Sequence, residues 1–238
     1  MRYSLLSVML LAIGCTLQAP PQSKQTTTPT PTSPSSAIEG LNLDAKQRNF
    51  VDAVQRMEPL VERSCRQRAP DLNCDFHIVV DDRPNQDRPN AFQTLDKDGR
   101  PILGFNLALI YEVRNQDEIA FVIGHEASHH ILRHLARQQE NAAAGAVVFG
   151  TLAAIIGGNA TAVSQATEIG ASVGARSYSK DMELEADFLG AKLTVAGGYD
   201  PVRGSEYFTR VPDPGNEFLG THPPNAERVA TVRRAAGL

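Results

Sequence analysis

Apolar residues recur at helical spacing along much of the chain, and the stretches that break the pattern mark a small sheet. Between Leu43 and Gln67, the residues Phe50, Val51, Val54, Met57 and Val61 fall on one side of a helix, with Pro59 expected to kink or break it. Phe76 to Val80 is short and β-branched, as a strand requires. Ala91 to Thr94 and Ile102 to Phe105 predict two more strands, joined around the Asp98-Gly99 turn. Leu107 to Arg114 reads as a short helix. Asn115, with Glu118 three residues on, has the form of a capping box and opens a helix expected to run to about Gln139. Lys180 to Ala196 predicts a further helix, stopped at Gly197-Gly198, and shorter helices follow Pro201 and Asn225. The pattern is that of an α+β fold, mainly helical, with a small β-sheet inserted early.

Ala142 to Ile156 carries no charge but is too short to span a bilayer comfortably. It is either a buried helix or a mobile segment, acting as a lid or leaning on a membrane. The chain has 238 residues, of which 42% are apolar, enough for one ordinary domain with a real core. A net charge of -4 argues against a general nucleic-acid partner. No apolar run reaches the roughly 18 to 20 residues of a transmembrane helix, which excludes a multi-pass membrane protein.

The N-terminus changes the picture. Arg2 followed by the apolar stretch Ser4 to Ile13 has the layout of a secretory signal. Ala12-Ile13-Gly14-Cys15 resembles a bacterial lipobox, which implies a signal over 1–14 and lipidation at Cys15; a plain signal peptide with an incidental Cys15 is the alternative. A Thr/Pro/Ser-rich linker reaches residue 40, and the domain occupies 41–238. In extended polyproline form, Thr16 to Ala37 would span up to roughly 70 Å. Thr16, where an Asp would signal otherwise, implies by resemblance to Gram-negative lipoproteins an outer-membrane anchor facing the periplasm. In such an oxidising compartment Cys65 and Cys74 are candidates to pair, worth roughly 2.5 to 3 kcal/mol; two buried thiols are the alternative.

The decisive pattern is His125-Glu126-Ala127-Ser128-His129 on a predicted helix. Residues four apart share a helical face, so both imidazoles can reach one zinc ion while Glu126 lies beside it as a general base. A catalytic zinc needs a third protein ligand. Glu183, 54 residues after His129, lies on a helix face with Asp187, so that Glu183 can ligate while Asp187 orients a ligand histidine. Glu185 lies about 200° round the helix from Glu183 and is the weaker candidate. His77 and His130 read as core or surface residues, and so does His134.

The sequence resembles the M48 peptidases, the zinc endopeptidases related to HtpX and to the CAAX prenyl proteases. The resemblance rests on HEASHHILRH (His125 to His134), YSKDMELEADFLG (Tyr178 to Gly190) and THPPNAER (Thr221 to Arg228), with echoes at Asn90-Ala91-Phe92 and Gly198-Tyr199-Asp200-Pro201. Lys180 stands where the family has Arg. The likeness is to small, secreted, lipoprotein-type members. It implies a zincin-like (gluzincin) domain with one zinc per chain on His125, His129 and Glu183, and with Glu126 catalytic in metal-assisted hydrolysis of peptide bonds. It also implies that His222 and Arg228 lie near the metal, where they would stabilise the oxyanion; alternatively His222 closes the zinc site in a latent state. Asn90, Ala91 and Phe92 would form the strand that pairs with substrate. The expected substrates are misfolded or unassembled exported proteins, and other envelope proteases or assembly factors are possible partners. The rival readings are a non-proteolytic zinc lipoprotein acting as chaperone or scaffold, and a zinc hydrolase of other envelope polymers.

Overall fold

The structure is a computed structural model and describes residues 43–84, 86–177, 179–213 and 223–238. The expected signal segment, the lipidation site Cys15, the linker and His222 lie outside the described residues.

Helix α1 (Ala45–Arg68) begins at Asp44, whose carboxylate accepts from the amides of Lys46 and Gln47 at 2.8 and 2.9 Å, while Gln47 Oε1 accepts from the Asp44 amide at 3.0 Å. Pro59 does not break it. Phe50, Ala53 and Met57 before the proline and Val61 and Cys65 after it are buried along one stripe. Both halves therefore dock on the same core, and that burial outweighs the lost amide donor. Cys65 forms a disulfide with Cys74, their Cα atoms 5.7 Å apart, which ties the end of α1 to the approach to the sheet.

Strands β1 (His77–Asp81), β2 (Ala91–Leu95) and β3 (Pro101–Asn106) form a mixed sheet of order β1-β3-β2, with β1 parallel and β2 antiparallel to the central β3. β2 is thus an edge strand. Buried Asn106 fixes where it starts: its Oδ1 accepts from the Asn90 amide at 3.0 Å and caps α2 (Leu107–Glu112) through the Leu109 amide at 2.9 Å.

Helix α3 (Gln116–Ile131) is capped by Asn115, which accepts from the Glu118 amide at 3.0 Å. The expected reciprocal bond is absent, because Glu118 turns inward. Its fully buried carboxylate accepts from Nη1 and Nη2 of Arg210, at 2.8 and 2.7 Å, and from the Arg114 amide at 2.9 Å. A buried carboxylate requires such a partner, and a bidentate arginine is the strongest available.

α3 also stops short of the expected Gln139. Arg133 adopts a left-handed conformation (φ 59°, ψ 34°), and a new helix, α4 (His134–Ile155), leaves in another direction. α4 pairs with α5 (Ala160–Ser177), a helix the hydrophobic pattern does not announce. The stretch Ala142 to Ile156 lies in this hairpin and is not a core helix. Along it only Gly150 and Ala153 are buried, while Ile155 and Ile156 are 76% and 77% exposed. α5 covers one flank, while Val147, Val148 and Leu152 are exposed. No helix of the described residues is long and apolar enough to cross a membrane.

Helix α6 (Ser179–Ala196) ends at Gly197-Gly198 as expected, with Gly198 at φ 80°. It is followed by α7 (Pro201–Ser205), a 3-10 turn (Glu206–Thr209) and α8 (Asn225–Ala235). One core joins α1, the sheet and α3 through Met57, Val61, Phe76, Leu103, Phe105 and Ile123. A smaller one, of Phe121, Ala191, Phe208 and Val232, seats α3 against α6 and α8.

Candidate metal centre

α3 and α6 cross at a pair of glycines, and this crossing assembles the site. A methyl group on Gly190 would stand 2.8 Å from the His125 backbone nitrogen, and one on Gly124 would stand 2.8 Å from the Gly190 carbonyl oxygen. Only two hydrogens at that contact let the backbones approach so closely. Glu183 and Asp187, two turns and one turn before Gly190, are thereby set against His125 and His129.

His125 Nε2 and His129 Nε2 lie 3.0 Å apart, and the Glu183 carboxylate is 3.6 Å from the first and 3.4 Å from the second. Ligands on a tetrahedral zinc with bonds near 2.0 to 2.1 Å stand about 3.4 Å from one another. The three donors fit that ion in chemistry and in spacing, and they form the metal-compatible group found among the described residues.

Each imidazole is held from behind. His125 Nδ1 lies 2.9 Å from Asp187 Oδ1, and Asp187 is fully buried. Arg228 grips that carboxylate with Nε at 2.8 Å and Nη2 at 2.7 Å, and its guanidinium lies 3.8 Å over the Phe208 ring. Burial alone would raise the Asp187 pKa, but Arg228 reverses this and holds it below the ordinary value. Burial likewise opposes charge on His125, yet the Asp187 carboxylate wins and its pKa is raised. Among the described residues, His129 has no carboxylate in direct contact with its Nδ1; His134 lies there instead. Burial first and the neighbouring His125 second push His129 down to about 3, so it stays the neutral imidazole that a metal requires.

Glu126 is 8% exposed and lies where two adjoining cavities of about 390 and 230 Å³ meet. The larger is lined by Asn90, Ala91, Val122, Tyr207, Val211 and Arg228 among others, the smaller by Gln93, His134, Gln138 and Ser179 among others. The cleft thus runs past β2. Of the three residues expected on the substrate strand, Asn90 and Ala91 face the larger cavity, whereas Phe92 lays its ring over Gly104, its cross-strand partner.

The remaining expectations divide. His130 is a packing residue, with Nε2 2.8 Å from the Asn73 carbonyl oxygen, and His77 is exposed. Glu185 is no ligand; it pairs with Arg137 and His134. Arg228 lines the cavity as expected, but its contacts make it first the clamp on Asp187, which the sequence reading missed. His134 is buried, as a packing residue would be, and its Nδ1 also lies 2.9 Å from His129 Nδ1, a contact the sequence reading did not foresee. On one continuous helix that contact could not form, so no local signal announced it.

The glycine crossing makes a testable demand. Gly190→Val is expected to weaken zinc binding at least tenfold in chelator competition, because ligand spacing depends on it. It should also lower the thermal midpoint, since overpacking costs about 1 to 3 kcal/mol. Unchanged affinity would show that the crossing does not set the ligand spacing.

A family model described as peptidase family M48 matches residues 52–236. The chain is 30% identical over 174 residues to the beta-barrel assembly-enhancing protease of Yersinia pestis, covering 68% of this chain and 34% of that one. The protein of the same name from Escherichia coli (strain K12) matches at the same identity and coverage. The mitochondrial metalloendopeptidase OMA1 of Arabidopsis thaliana is 27% identical over 131 residues, covering 53% of this chain and 26% of its own. The chain therefore spans about a third or less of the length of these curated relatives.

Proposed function

The chain belongs to peptidase family M48, and from that premise we propose that it is a zinc-dependent metalloendopeptidase of the bacterial cell envelope, acting on misfolded or unassembled exported proteins. The observation that carries this reading is the convergence of His125, His129 and Glu183 at tetrahedral spacing, with Glu126 in the wall of a cleft bordered by an edge strand.

In this reading His125, His129 and Glu183 hold the ion. Zinc bound there supplies Lewis acidity, making water a nucleophile near neutral pH and polarising the scissile carbonyl. The Glu126 carboxylate takes the proton from the attacking water and returns it to the leaving nitrogen. Asp187, clamped by Arg228, keeps His125 oriented with Nε2 towards the metal. Arg228 lines the cavity beside Glu126, the place from which it would also meet the developing oxyanion, with His222 in the same role or as a latent fourth ligand. An extended substrate pairs its main chain with the edge of β2 that faces away from β3, near Asn90 and Ala91. Main-chain pairing tolerates many sequences, which suits unfolded clients. Relatives named for enhancing β-barrel assembly support placing those clients among unassembled envelope proteins. Export and lipidation at Cys15 would hold the domain at the outer membrane, facing the periplasm.

Incubation of the purified protein with unfolded casein tests this. Cleavage is expected to fall more than about 100-fold on chelation and to return with zinc, while murein stays intact. Casein cleavage that survives complete metal removal would overturn the reading.

A further inference from the structure

His134 is buried against the metal centre, and the proposed mechanism leaves it without a task. Five residues apart on an unbroken α-helix, His129 and His134 would point about 140° away from each other. The left-handed backbone of Arg133 (φ 59°) ends α3 and folds the first residue of α4 back, bringing the two Nδ1 atoms to 2.9 Å. A non-glycine residue in this conformation costs of order 1 to 3 kcal/mol and persists only where its surroundings impose it; here Arg133 is paired with Asp71. On its other side His134 places Nε2 3.1 Å from Glu185 Oε2, and Arg137 holds that carboxylate with Nη1 at 2.5 Å and Nη2 at 3.4 Å.

With His134 a neutral imidazole, one proton arrangement satisfies the whole row. Glu185, ionised beside Arg137, can only accept, so His134 carries its proton on Nε2 and donates it. A neutral His134 then offers a lone pair at Nδ1. His129 must donate to it from Nδ1, which leaves the lone pair of His129 on Nε2, the nitrogen that faces His125 and Glu183. We infer that His134 is a positioning residue: backed by Glu185 and Arg137, it sets the tautomer and orientation of His129 for the metal. The two ligand histidines are thus supported in parallel, His125 by Asp187 and Arg228 directly, His129 by Glu185 and Arg137 through a second imidazole. A carboxylate that fixes a ligand histidine is common; here the histidine interposed between them is supplied by a backbone reversal. The inference rests on reading His129 as a zinc ligand.

Zinc affinity, measured by chelator competition on the purified protein and on His134→Leu and His134→Asn, tests it. His134→Leu removes the acceptor and is expected to weaken zinc binding about 10- to 100-fold. His134→Asn places an amide oxygen near the position of Nδ1 and is expected to recover most of that loss, which mere filling of the space would not. The zinc-free thermal midpoints of the two variants should agree. Full affinity in His134→Leu, with the wild type binding one zinc, would overturn this inference alone, as would an Asn variant as weak as the Leu variant. A wild type that takes up no zinc would overturn the proposed function, and this inference with it.

Discussion

Glu126→Gln is expected to leave the protein folded and zinc-loaded while lowering cleavage of an unfolded substrate by about 10²- to 10⁴-fold, the usual contribution of a positioned general base. The substitution keeps shape and hydrogen-bonding length but removes the site that accepts a proton. Glu126 is not one of the three converging donors, so zinc content measured by atomic absorption should remain near one per chain. Its side chain borders cavities of about 390 and 230 Å³, so the variant has room for the amide without repacking the core. Cleavage that continues at the wild-type rate would refute the hydrolytic mechanism. A protein that suppresses aggregation equally well as wild type and as Glu126→Gln, without cleaving in either form, would instead be the chaperone or scaffold.

Glu183→Ala is expected to abolish stoichiometric zinc binding, with a loss well beyond the roughly 10- to 100-fold that follows removal of an outer partner. Two imidazoles remain after the substitution, one short of the three protein ligands that a catalytic zinc takes. Proteolysis should vanish with the metal, and so should the rise in thermal midpoint that added zinc gives the wild type, because a ligand stabilises only what it binds. The carboxylate lies 3.6 Å from Arg228, but Arg228 is anchored on Asp187, so the zinc-free fold should persist in the variant. Retained stoichiometric zinc in Glu183→Ala would refute the ligand assignment.

The parts of the site that could be read ahead are those governed by short-range geometry. His125 and His129 fall on one face because the α-helix has 3.6 residues per turn, whatever surrounds it. Glu183 and Asp187 share a face for the same reason. Strands β2 and β3, the Asp98-Gly99 turn and the end of α6 at Gly197-Gly198 follow likewise from alternation and from glycine's tolerance of positive φ.

Expectations failed where a distant partner overrode a local preference. Pro59 was expected to kink or break α1, and no break occurs, because the stripe from Phe50 to Cys65 is buried on both sides of it. Glu118 was expected to close a capping box, but Arg210, far along the chain, offers a buried carboxylate two charged donors. The apolar stretch from Ala142 to Ile156 was open to reading as a core helix. Its composition suits burial, yet the hairpin with α5 leaves its tip exposed.

The residues alone therefore pointed to the proposed reaction class, since His125, Glu126 and His129 at helical spacing, with an acidic helix face at Glu183 and Asp187, are what a catalytic zinc site would need. They could not give the distances between helices or the orientation of each ring. Those depend on contacts between residues far apart in the chain: Gly124 on Gly190, Arg228 on Asp187, and His134 returned to His129 by the backbone at Arg133. Helical periodicity places side chains on a face, but it carries no information about which face of another helix they meet. That is settled only when the backbones cross, and here two glycines set how closely they do.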